Sequence, residues 1–419
     1  MKMTPLHSWH VDNGANMAEF GSYSMPLWYP QGAKQEHIGV IQSAGLFDTS
    51  HMAAVIVKGA NAHDLLQAAF TKDLDRCVGP AKKELSPGRS VYGLFLKENG
   101  HVIDDAIVSM VDDSLYMVVV NAGMGKGISD YLQSFHEYSD VEISDQTDRL
   151  GKIDIQGPAS AKILSKILDS PAAVFDNMIY FSFKGWFDSS LGSKVVLKDG
   201  TPVLLSRTGY TGEFGFELFL DSEHLVRIWQ ELLLVGDKEI VPCGLAARDS
   251  LRAGAVLPLS HQDIGEWPFA NNPWPFALPL NDDNTFTKSF VGAVALRSND
   301  SDNYTYSFAG FDPRKITVGE DAAVLDKDGA ELGTILTCTT DMAISRVGEK
   351  IVSLATSTAD GKPEDFKPRG LSCGFVKISR RMNSGEKIYL YDGRRKIEVE
   401  IREDVRPDRT ARLPIKTML

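Results

Sequence analysis

Three two-residue turn signals, each set between two runs of strand-forming residues, constrain the fold of this chain more than any other feature. Asn and Asp followed by Gly tolerate the positive φ angles that tight hairpin turns require. The three dipeptides and the runs they separate are Asn99-Gly100 (92–96 and 102–108), Asp199-Gly200 (194–197 and 203–206) and Asp392-Gly393 (388–391 and 397–401). We therefore predict a protein dominated by antiparallel sheet.

Helical patterns lie between these hairpins. Apolar residues recur at the spacing of a helix in 124–138 and 222–235, and a third helix is predicted just after Gly157-Pro158. Proline is tolerated in a first helical turn because its missing N–H has no partner there in any case. The helices and strands alternate irregularly, which predicts an α+β protein and not a repeating βαβ series.

A change in composition divides the chain. Residues 297–304 are almost entirely polar, and nearly everything beyond them is typical of short strands and turns. We predict a helix-containing region over 1–298 and a smaller all-β domain over 299–419. Within that second domain, the segment 356–369 is rich in Lys, Asp and Pro and is predicted to be a surface loop.

Composition excludes several classes of protein. The 419 residues include 44 Lys and Arg against 56 Asp and Glu, a net charge of −12, which argues against binding nucleic acid through phosphate neutralisation. No apolar run approaches the roughly 20 residues that span a membrane, and the first residues lack the apolar core of a signal peptide. The four cysteines lie far apart, which is typical of a cytoplasmic protein, and no metal site is predicted at His7 and His10, the closest histidine pair near a terminus.

Two adjacent carboxylates follow the first turn signal. Asp104 and Asp105 are neighbours in a predicted strand, so their side chains point to opposite faces and cannot share a proton as a dyad. One interpretation is a solvated strand end with a turn-stabilising Asp. The other is a carboxylate that lines a cleft and stabilises a positive charge. A buried acid without a partner costs free energy, so a buried member of this pair would need a cation or hydrogen-bond donors.

Two further features suggest a binding site. The segment 206–217 has three glycines between two predicted strands and ends on Glu217. Glu217 either faces solvent or accepts the two adjacent N–H donors of a pterin or guanine edge. The segment is not a Walker loop, because no Gly-Lys-Ser/Thr follows. Arg248, in a predicted helix, either forms a surface pair with Asp249 or grips a ligand carboxylate.

Together these residues belong to a longer colinear series of motifs. The series resembles the T-protein (aminomethyltransferase) family of the glycine cleavage system over about residues 1–296, with a looser likeness beyond. Its members are Thr4-Pro5-Leu6-His7, Met25-Pro26, Glu36-His37, 45–52, Asn99-Gly100, 103–105, 118–122, 156–158, 207–213, 215–217 and 247–249.

The resemblance implies a fold, an activity and a site. The fold is three-lobed and cloverleaf-like around a central folate channel, with a C-terminal β-barrel lobe. The activity is transfer of the one-carbon unit of an aminomethyl-lipoyl H-protein to tetrahydrofolate, with release of ammonia. By resemblance, Asp105 is the catalytic carboxylate, which orients the folate nitrogen and stabilises a cationic species. The implied folate contacts are Glu217 at the pterin, Asn121 and Tyr210 beside it, Met52 and Tyr92 along the channel, and Arg248 at the glutamyl tail.

The chain departs from the family pattern at several positions that line the channel or end the last helix, namely Ser109, Gly123, Met124 and Gly254. These departures keep open a related tetrahydrofolate-dependent methyltransferase or demethylase whose donor is a methylated amine, a sulfonium or a methoxy compound. A non-catalytic folate-binding relative is a third alternative. It is disfavoured because Asp105 is present and the Lys-Gly-Cys signature of that branch is not.

Overall fold

The computed structural model describes residues 1–192, 194–298 and 301–419. Within those ranges, the strands are β1 (Lys2–Met3), β2 (Asn16–Phe20), β3 (Tyr23–Trp28), β4 (Gly45–Asp48), β5 (Ala53–Lys58), β6 (Arg89–Leu96), β7 (Val102–Asp112), β8 (Leu115–Val120), β9 (Glu142–Asp145), β10 (Leu150–Gln156), β11 (Phe183–Lys184), β12 (Leu204–Ser206), β13 (Gly215–Asp221), β14 (Val241–Cys243), β15 (Tyr304–Gly310), β16 (Ala323–Leu325), β17 (Glu331–Asp341), β18 (Ile344–Val347), β19 (Lys350–Ser353), β20 (Leu371–Ile378), β21 (Lys387–Tyr391) and β22 (Lys396–Ile401).

The described ranges contain fewer helices than strands. The α-helices of the described ranges are α1 (His7–Asp12), α2 (Ala33–Gln42), α3 (Ala62–Ala69), α4 (Gly125–Gln133), α5 (Ser160–Leu164), α6 (Pro171–Phe175), α7 (Leu225–Gly236), α8 (Leu245–Gly254) and α9 (Ala293–Arg297). Short 3-10 helices occur at His136–Tyr138, Ser189–Leu191, Ser222–His224, Asp237–Glu239, Pro275–Ala277 and Ile415–Thr417. No helix of the described residues is both long and apolar enough to cross a membrane.

Two large sheets and a barrel organise these elements. The five-stranded sheet has the order β6-β7-β8-β5-β9 and is antiparallel throughout. The six-stranded sheet has the order β11-β12-β13-β10-β4-β14 and is antiparallel except where β14 runs parallel to β4. Strands β15-β20-β17-β16-β21-β22 close into a barrel, β18 and β19 form a separate hairpin, and β1-β3-β2 form a small sheet. The α+β class and the C-terminal barrel are confirmed.

Alternating residues explain how the two large sheets face each other. In β5, Val55 packs under α3 and α4 in one core, whereas its neighbour Ile56 points into a second core shared with the six-stranded sheet. In β13, Leu218 packs under α5 and α7, whereas Phe219 points into that same shared core. Each sheet is therefore covered by helices on its outer face, and the inner faces meet over the site described below.

The turn predictions are confirmed at Asn99-Gly100, which joins β6 to β7, and at Asp392-Gly393, which joins β21 to β22. At Asp199-Gly200 the turn forms, but the prediction of a strand over 194–197 is wrong. That segment makes only isolated bridges, because β11 and β13 take both edges of β12. The segment 356–369 is confirmed as a largely exposed loop without helix or strand.

The segment that follows the barrel packs against the six-stranded sheet. The barrel strands run from Tyr304 to Ile401, and the predicted boundary at 298/299 adjoins Asn299 and Asp300, which lie outside the described residues. Beyond β22 the chain returns to the six-stranded sheet, where Ile415 joins the core that also contains Leu6.

Candidate active site

A cavity of about 1140 Å³ opens between the inner faces of the two large sheets. Its wall includes the side chains of all seven residues predicted for the site: Met52, Tyr92, Asp105, Asn121, Tyr210, Glu217 and Arg248. The structure therefore brings together residues that are as many as 196 positions apart in the sequence. Asp105 comes from the five-stranded sheet, and Glu217 from the six-stranded sheet.

Strand alternation sets the direction of Asp105. Asp105, Ile107 and Ser109 of β7 line the cavity, whereas Val108 and Met110 pack under the helices. A bulge at Ile103, where Phe95 pairs with Asp104 and Leu96 pairs with Val102, precedes the acidic pair. The hairpin thus delivers one carboxylate to the cavity and turns its neighbour away.

Two donors hold the Asp105 carboxylate. The Tyr92 hydroxyl donates to Oδ2 at 2.7 Å, and the Asn121 amide Nδ2 donates to Oδ1 at 2.6 Å. Burial, reinforced by the neighbouring Asp104 charge, raises the pKa of Asp105 to about 6, although both hydrogen bonds act in the opposite direction. At neutral pH the group is therefore ionised, but its negative charge is poorly stabilised.

Asp104 is not the solvated acid of the first interpretation. It is fully buried and accepts hydrogen bonds from the Asn121 backbone N–H at 2.9 Å, the Asn121 Nδ2 at 2.8 Å and the Ser260 hydroxyl at 2.8 Å. His261 Nε2 lies 3.3 Å from Oδ1, and the hydrogen bond with Asp104 raises the pKa of this imidazole. Asn121 thus bridges both carboxylates and fixes their separation.

Glu217 is likewise not on a solvent face. Only 7% of the residue is exposed, and Oε1 accepts a charge-assisted hydrogen bond from Lys152 Nζ at 2.5 Å. The Thr208 hydroxyl donates to Oε2. A carboxylate has about four acceptor positions, so two of those on Glu217 remain for a ligand.

Arg248 does not pair with its neighbour Asp249. Its Nη1 lies 2.9 Å from Asp154 Oδ2, and its guanidinium lies 4.8 Å from the Tyr210 ring centre. Asp249 pairs instead with Arg252 at 2.7 Å. Since Arg248 already holds a buried acid, its role at a glutamyl tail stays a prediction.

His51 adds an unexpected polar atom to the wall. The residue is only 3% exposed, lines the cavity, and its Nδ1 has no hydrogen-bond partner among the described residues. Burial, together with the nearby Arg248 charge, lowers the pKa of His51 to about 4, so the ring is neutral at physiological pH. An unpaired buried polar atom that faces a cavity fits a hydrogen-bonding ligand there.

No cluster of three or more His, Cys, Asp or Glu residues suited to a metal ion occurs in the described ranges. His10 bonds to Asp48 at 3.0 Å and to the Tyr29 hydroxyl at 2.8 Å, and His7 contacts the Ser24 hydroxyl at 3.1 Å. Both histidines are accounted for by structural contacts.

Comparison with known proteins decides the family. Residues 6–268 match the family model described as the GCVT N-terminal domain. The chain is 32% identical to the aminomethyltransferase of Staphylococcus carnosus over 351 residues, which cover 83% of this chain and 88% of that protein. It is 31% identical to the aminomethyltransferase of Geobacillus kaustophilus, with 90% and 98% covered. The chain belongs to the aminomethyltransferase family.

A solved structure supports the fold. The glycine cleavage system aminomethyltransferase T from Bartonella henselae superposes with a TM-score of 0.73 at 24% identity, covering 96% of each chain. The three-lobed, barrel-containing architecture that the resemblance implied is confirmed.

The structure explains three departures from the family pattern. Ser109 faces the cavity and forms a 2.8 Å hydrogen bond with Ser90 of the neighbouring strand. Gly254 ends α8 against the barrel, where a Cβ would collide with the Asp341 carboxylate. Gly123, at a φ of +77°, occupies the tight turn that precedes α4.

Sequence reasoning missed Lys152, Asp154 and His51. The first two are charged residues at alternate positions of β10, whose burial pattern is buried throughout. Charges two apart in a buried strand share a face and need partners, which is the signal that would have found them. His51 stands inside a recognised motif, but nothing in the sequence distinguishes an unpartnered buried histidine from a paired one.

Proposed function

We propose that this family member transfers the one-carbon unit of an aminomethyl-lipoyl H-protein to tetrahydrofolate with release of ammonia. The observation that carries the proposal is the shared cavity, which is lined by Asp105 from one sheet and Glu217 from the other. The cavity is somewhat larger than the usual small-ligand site, and both apolar and polar side chains line it.

Asp105 supplies the electrostatic part of the reaction. Tyr92 and Asn121 fix its carboxylate, so it needs no reorganisation when positive charge develops on the transferred carbon. Its raised pKa reflects a negative charge that burial leaves undersolvated. A cation in the cavity would relieve that cost, so the interaction is strongest where the substrate becomes most positive.

Glu217 and His51 fit the reduced pterin. The free acceptor positions of Glu217 suit adjacent N–H donors of that ring, and the unpaired Nδ1 of His51 offers another polar contact. Tyr92 and Tyr210 border the same space and provide flat apolar surface for the remainder of the folate.

The test is a reconstituted assay. Purified full-length protein is incubated with aminomethylated H-protein and tetrahydrofolate, and both methylenetetrahydrofolate and ammonia are quantified. We expect both products in equal amounts, dependent on both substrates. Absence of either product with a competent H-protein would contradict the proposal.

A second candidate keeps tetrahydrofolate but replaces the donor. Lys72, Arg89 and Arg412 line the cavity, and none of them forms an ion pair with a described residue. Burial lowers the pKa of both Lys72 and Arg89. These cations favour a small methylated donor that carries a carboxylate. Turnover with such a compound, and none with the H-protein, would decide for this candidate.

A further inference from the structure

Four charged side chains on or near the inner face of the six-stranded sheet form one chain of alternating sign, the ion network: Glu217, Lys152, Asp154 and Arg248. Lys152 Nζ contacts Glu217 Oε1 and Asp154 Oδ1, each at 2.5 Å, and Asp154 Oδ2 contacts Arg248 Nη1 at 2.9 Å. The two end members line the cavity, whereas Lys152 and Asp154 lie behind its wall.

Strand register explains why a cation is needed in the network. Asp154 of β10 is the direct cross-strand partner of Glu217 of β13. Two like charges opposite each other in a sheet repel, and this pair is buried, where the repulsion is stronger than in water. Lys152, two residues from Asp154 on the same face, places its ammonium between the two acids.

The contacts of Lys152 use all of its hydrogen-bond donors, so none remains for a ligand. Its side chain is 4% exposed, and its three N–H donors are used by Glu217, by Asp154 and by the Thr49 hydroxyl at 3.2 Å. The ammonium also lies 5.5 Å from the centre of the Phe219 ring. A group so enclosed cannot touch a ligand in the cavity, but it can fix the carboxylate that does.

We propose that Lys152 is a positioning residue that holds the Glu217 carboxylate in the orientation that accepts the N–H donors of the reduced pterin, an inference that rests on the proposed function. Lys152 fixes Oε1 from behind while Thr208 fixes Oε2. The remaining acceptor positions of Glu217 are thereby directed into the cavity. Preorganisation by such supporting contacts determines how tightly a site binds.

The test measures tetrahydrofolate binding by anaerobic titration calorimetry on the full-length protein. We expect Lys152→Met to weaken binding at least tenfold, while kcat at saturating tetrahydrofolate stays within about threefold of the original, because Asp105 is untouched. The matched control is Lys162→Met, which removes a lysine from an exposed pair with Glu239 and should leave binding unchanged. Unaltered binding by Lys152→Met would overturn the inference.

A double-variant cycle separates positioning from a general structural effect. Because Lys152 acts through Glu217, adding Lys152→Met to Glu217→Gln should weaken binding no more than twofold beyond Glu217→Gln alone. If the two losses instead multiply, Lys152 does not act through Glu217 and the inference fails.

A third variant covers the case in which Lys152→Met does not fold. Lys152→Met/Asp154→Leu removes one charge of each sign, and replacing a buried ion pair by apolar residues commonly preserves folding. We expect this variant to melt cooperatively and still to bind tetrahydrofolate at least tenfold more weakly. Full affinity in this variant would show that Lys152 merely neutralises Asp154, which would overturn the positioning role.

The original protein distinguishes this inference from the proposed function. If it forms methylenetetrahydrofolate while Lys152→Met binds equally well, only the inference fails. If the original protein does not bind tetrahydrofolate at all, both fail.

Discussion

Asp105 is the single residue whose environment leads to the most specific predictions about activity and stability. It is a half-buried acid between two hydrogen-bond donors and a second acid, and its pKa of about 6 lies well above that of an ordinary aspartate. The same environment that makes its charge useful to a cationic substrate makes that charge costly in the free protein. Activity and stability should therefore respond to this residue in opposite directions.

Replacing the charge should remove turnover and spare binding. We expect Asp105→Asn to lower kcat by about a hundredfold or more, the usual loss when one electrostatic contact to a transition state is removed. Tetrahydrofolate affinity should stay within a few-fold, since Glu217 is unchanged. Calorimetry and the product assay measure the two quantities separately, and lost binding with normal turnover would refute the role of Asp105.

The pH dependence of turnover follows from the same group. If the carboxylate must be ionised, kcat/KM should rise with pH through about 6 and then level off. A rate profile between pH 4.5 and 8.5 tests this, provided that the protein stays folded over the range. A profile that falls through pH 6 would mean that the protonated form is the active one.

Stability should respond in the opposite sense. Between about pH 4 and 6 the folded protein holds a proton on Asp105 that the unfolded chain has released, so the contribution of this group to the free energy of unfolding falls as pH rises. At pH 7 that contribution is fully unfavourable. Asp105→Asn should therefore raise the free energy of unfolding by about 1–3 kcal/mol at pH 7 and by much less at pH 4, measured in urea.

At the scale of elements, the end of α8 shows how closely a helix can approach the barrel. Gly254 lies against Asp341 of β17, and an added Cβ would meet both its carboxylate and Arg406 Nη1. These groups cannot move aside easily, since both are buried in an ion pair at 2.6 Å. The glycine at this helix end is therefore required by packing, because a residue with a Cβ would not fit.

Gly254→Ala should lower the free energy of unfolding by about 1–3 kcal/mol, because a buried ion pair must shift to admit the methyl group. The matched control is Gly127→Ala in α4, where a Cβ meets nothing within 4 Å. That change should be neutral or stabilising by up to about 1 kcal/mol. Equal urea midpoints for the two variants would contradict the packing argument.

Strands and turns were predicted from the sequence more successfully than the contacts between distant residues. The turn dipeptides Asn99-Gly100 and Asp392-Gly393 each identify a hairpin that the structure contains, and strand alternation separates Asp104 from Asp105 in β7. Sequence reasoning failed at 194–197, where the turn is local but pairing of the strand depends on which neighbours occupy the sheet. The residues of a turn determine whether the turn forms, whereas the partners of a strand in a sheet depend on distant parts of the chain.

For the whole molecule, a second set of buried charges joins the lobes. Asp341 of the barrel pairs with Arg406 at 2.6 Å and with His37 of α2 at 3.0 Å, and Arg406 also pairs with Glu213 of the glycine-containing loop at 3.1 Å. Burial alone would raise the pKa of Asp341, but the positive charge of Arg406 and the hydrogen bond with His37 hold it well below its usual range. This part of the protein could not be predicted from the sequence, because its members are up to 369 residues apart and none belongs to a distinctive pattern of charges.

Breaking that junction should destabilise the entire protein. Arg406→Met leaves Asp341 and Glu213 buried without their cation, and the free energy of unfolding should fall by about 3–5 kcal/mol. Arg314→Met, which removes an exposed partner of Asp312, should cost less than about 1 kcal/mol. Urea unfolding followed by both fluorescence and circular dichroism gives the comparison, and similar losses for the two variants would argue against a joining role.

Acid should weaken the same junction. Because its folded pKa is depressed, Asp341 contributes stability above the ordinary aspartate pKa of 3.8 that is lost progressively as pH falls below it. We expect the original protein to lose more stability between pH 5 and 3 than Arg406→Met loses. A parallel decline in the two proteins would show that the pair contributes nothing over this range.

The return of the chain after the barrel has a consequence for biosynthesis. Ile415 completes a core that also contains Leu6, and Arg207 in the same lobe donates hydrogen bonds to the carbonyl oxygens of Ala411 and Leu413. The core of the six-stranded sheet, which contains Leu6, therefore cannot be completed until the last residues of the chain have been synthesised. A nascent chain stopped before residue 410 should therefore remain sensitive to protease in segments that were translated first.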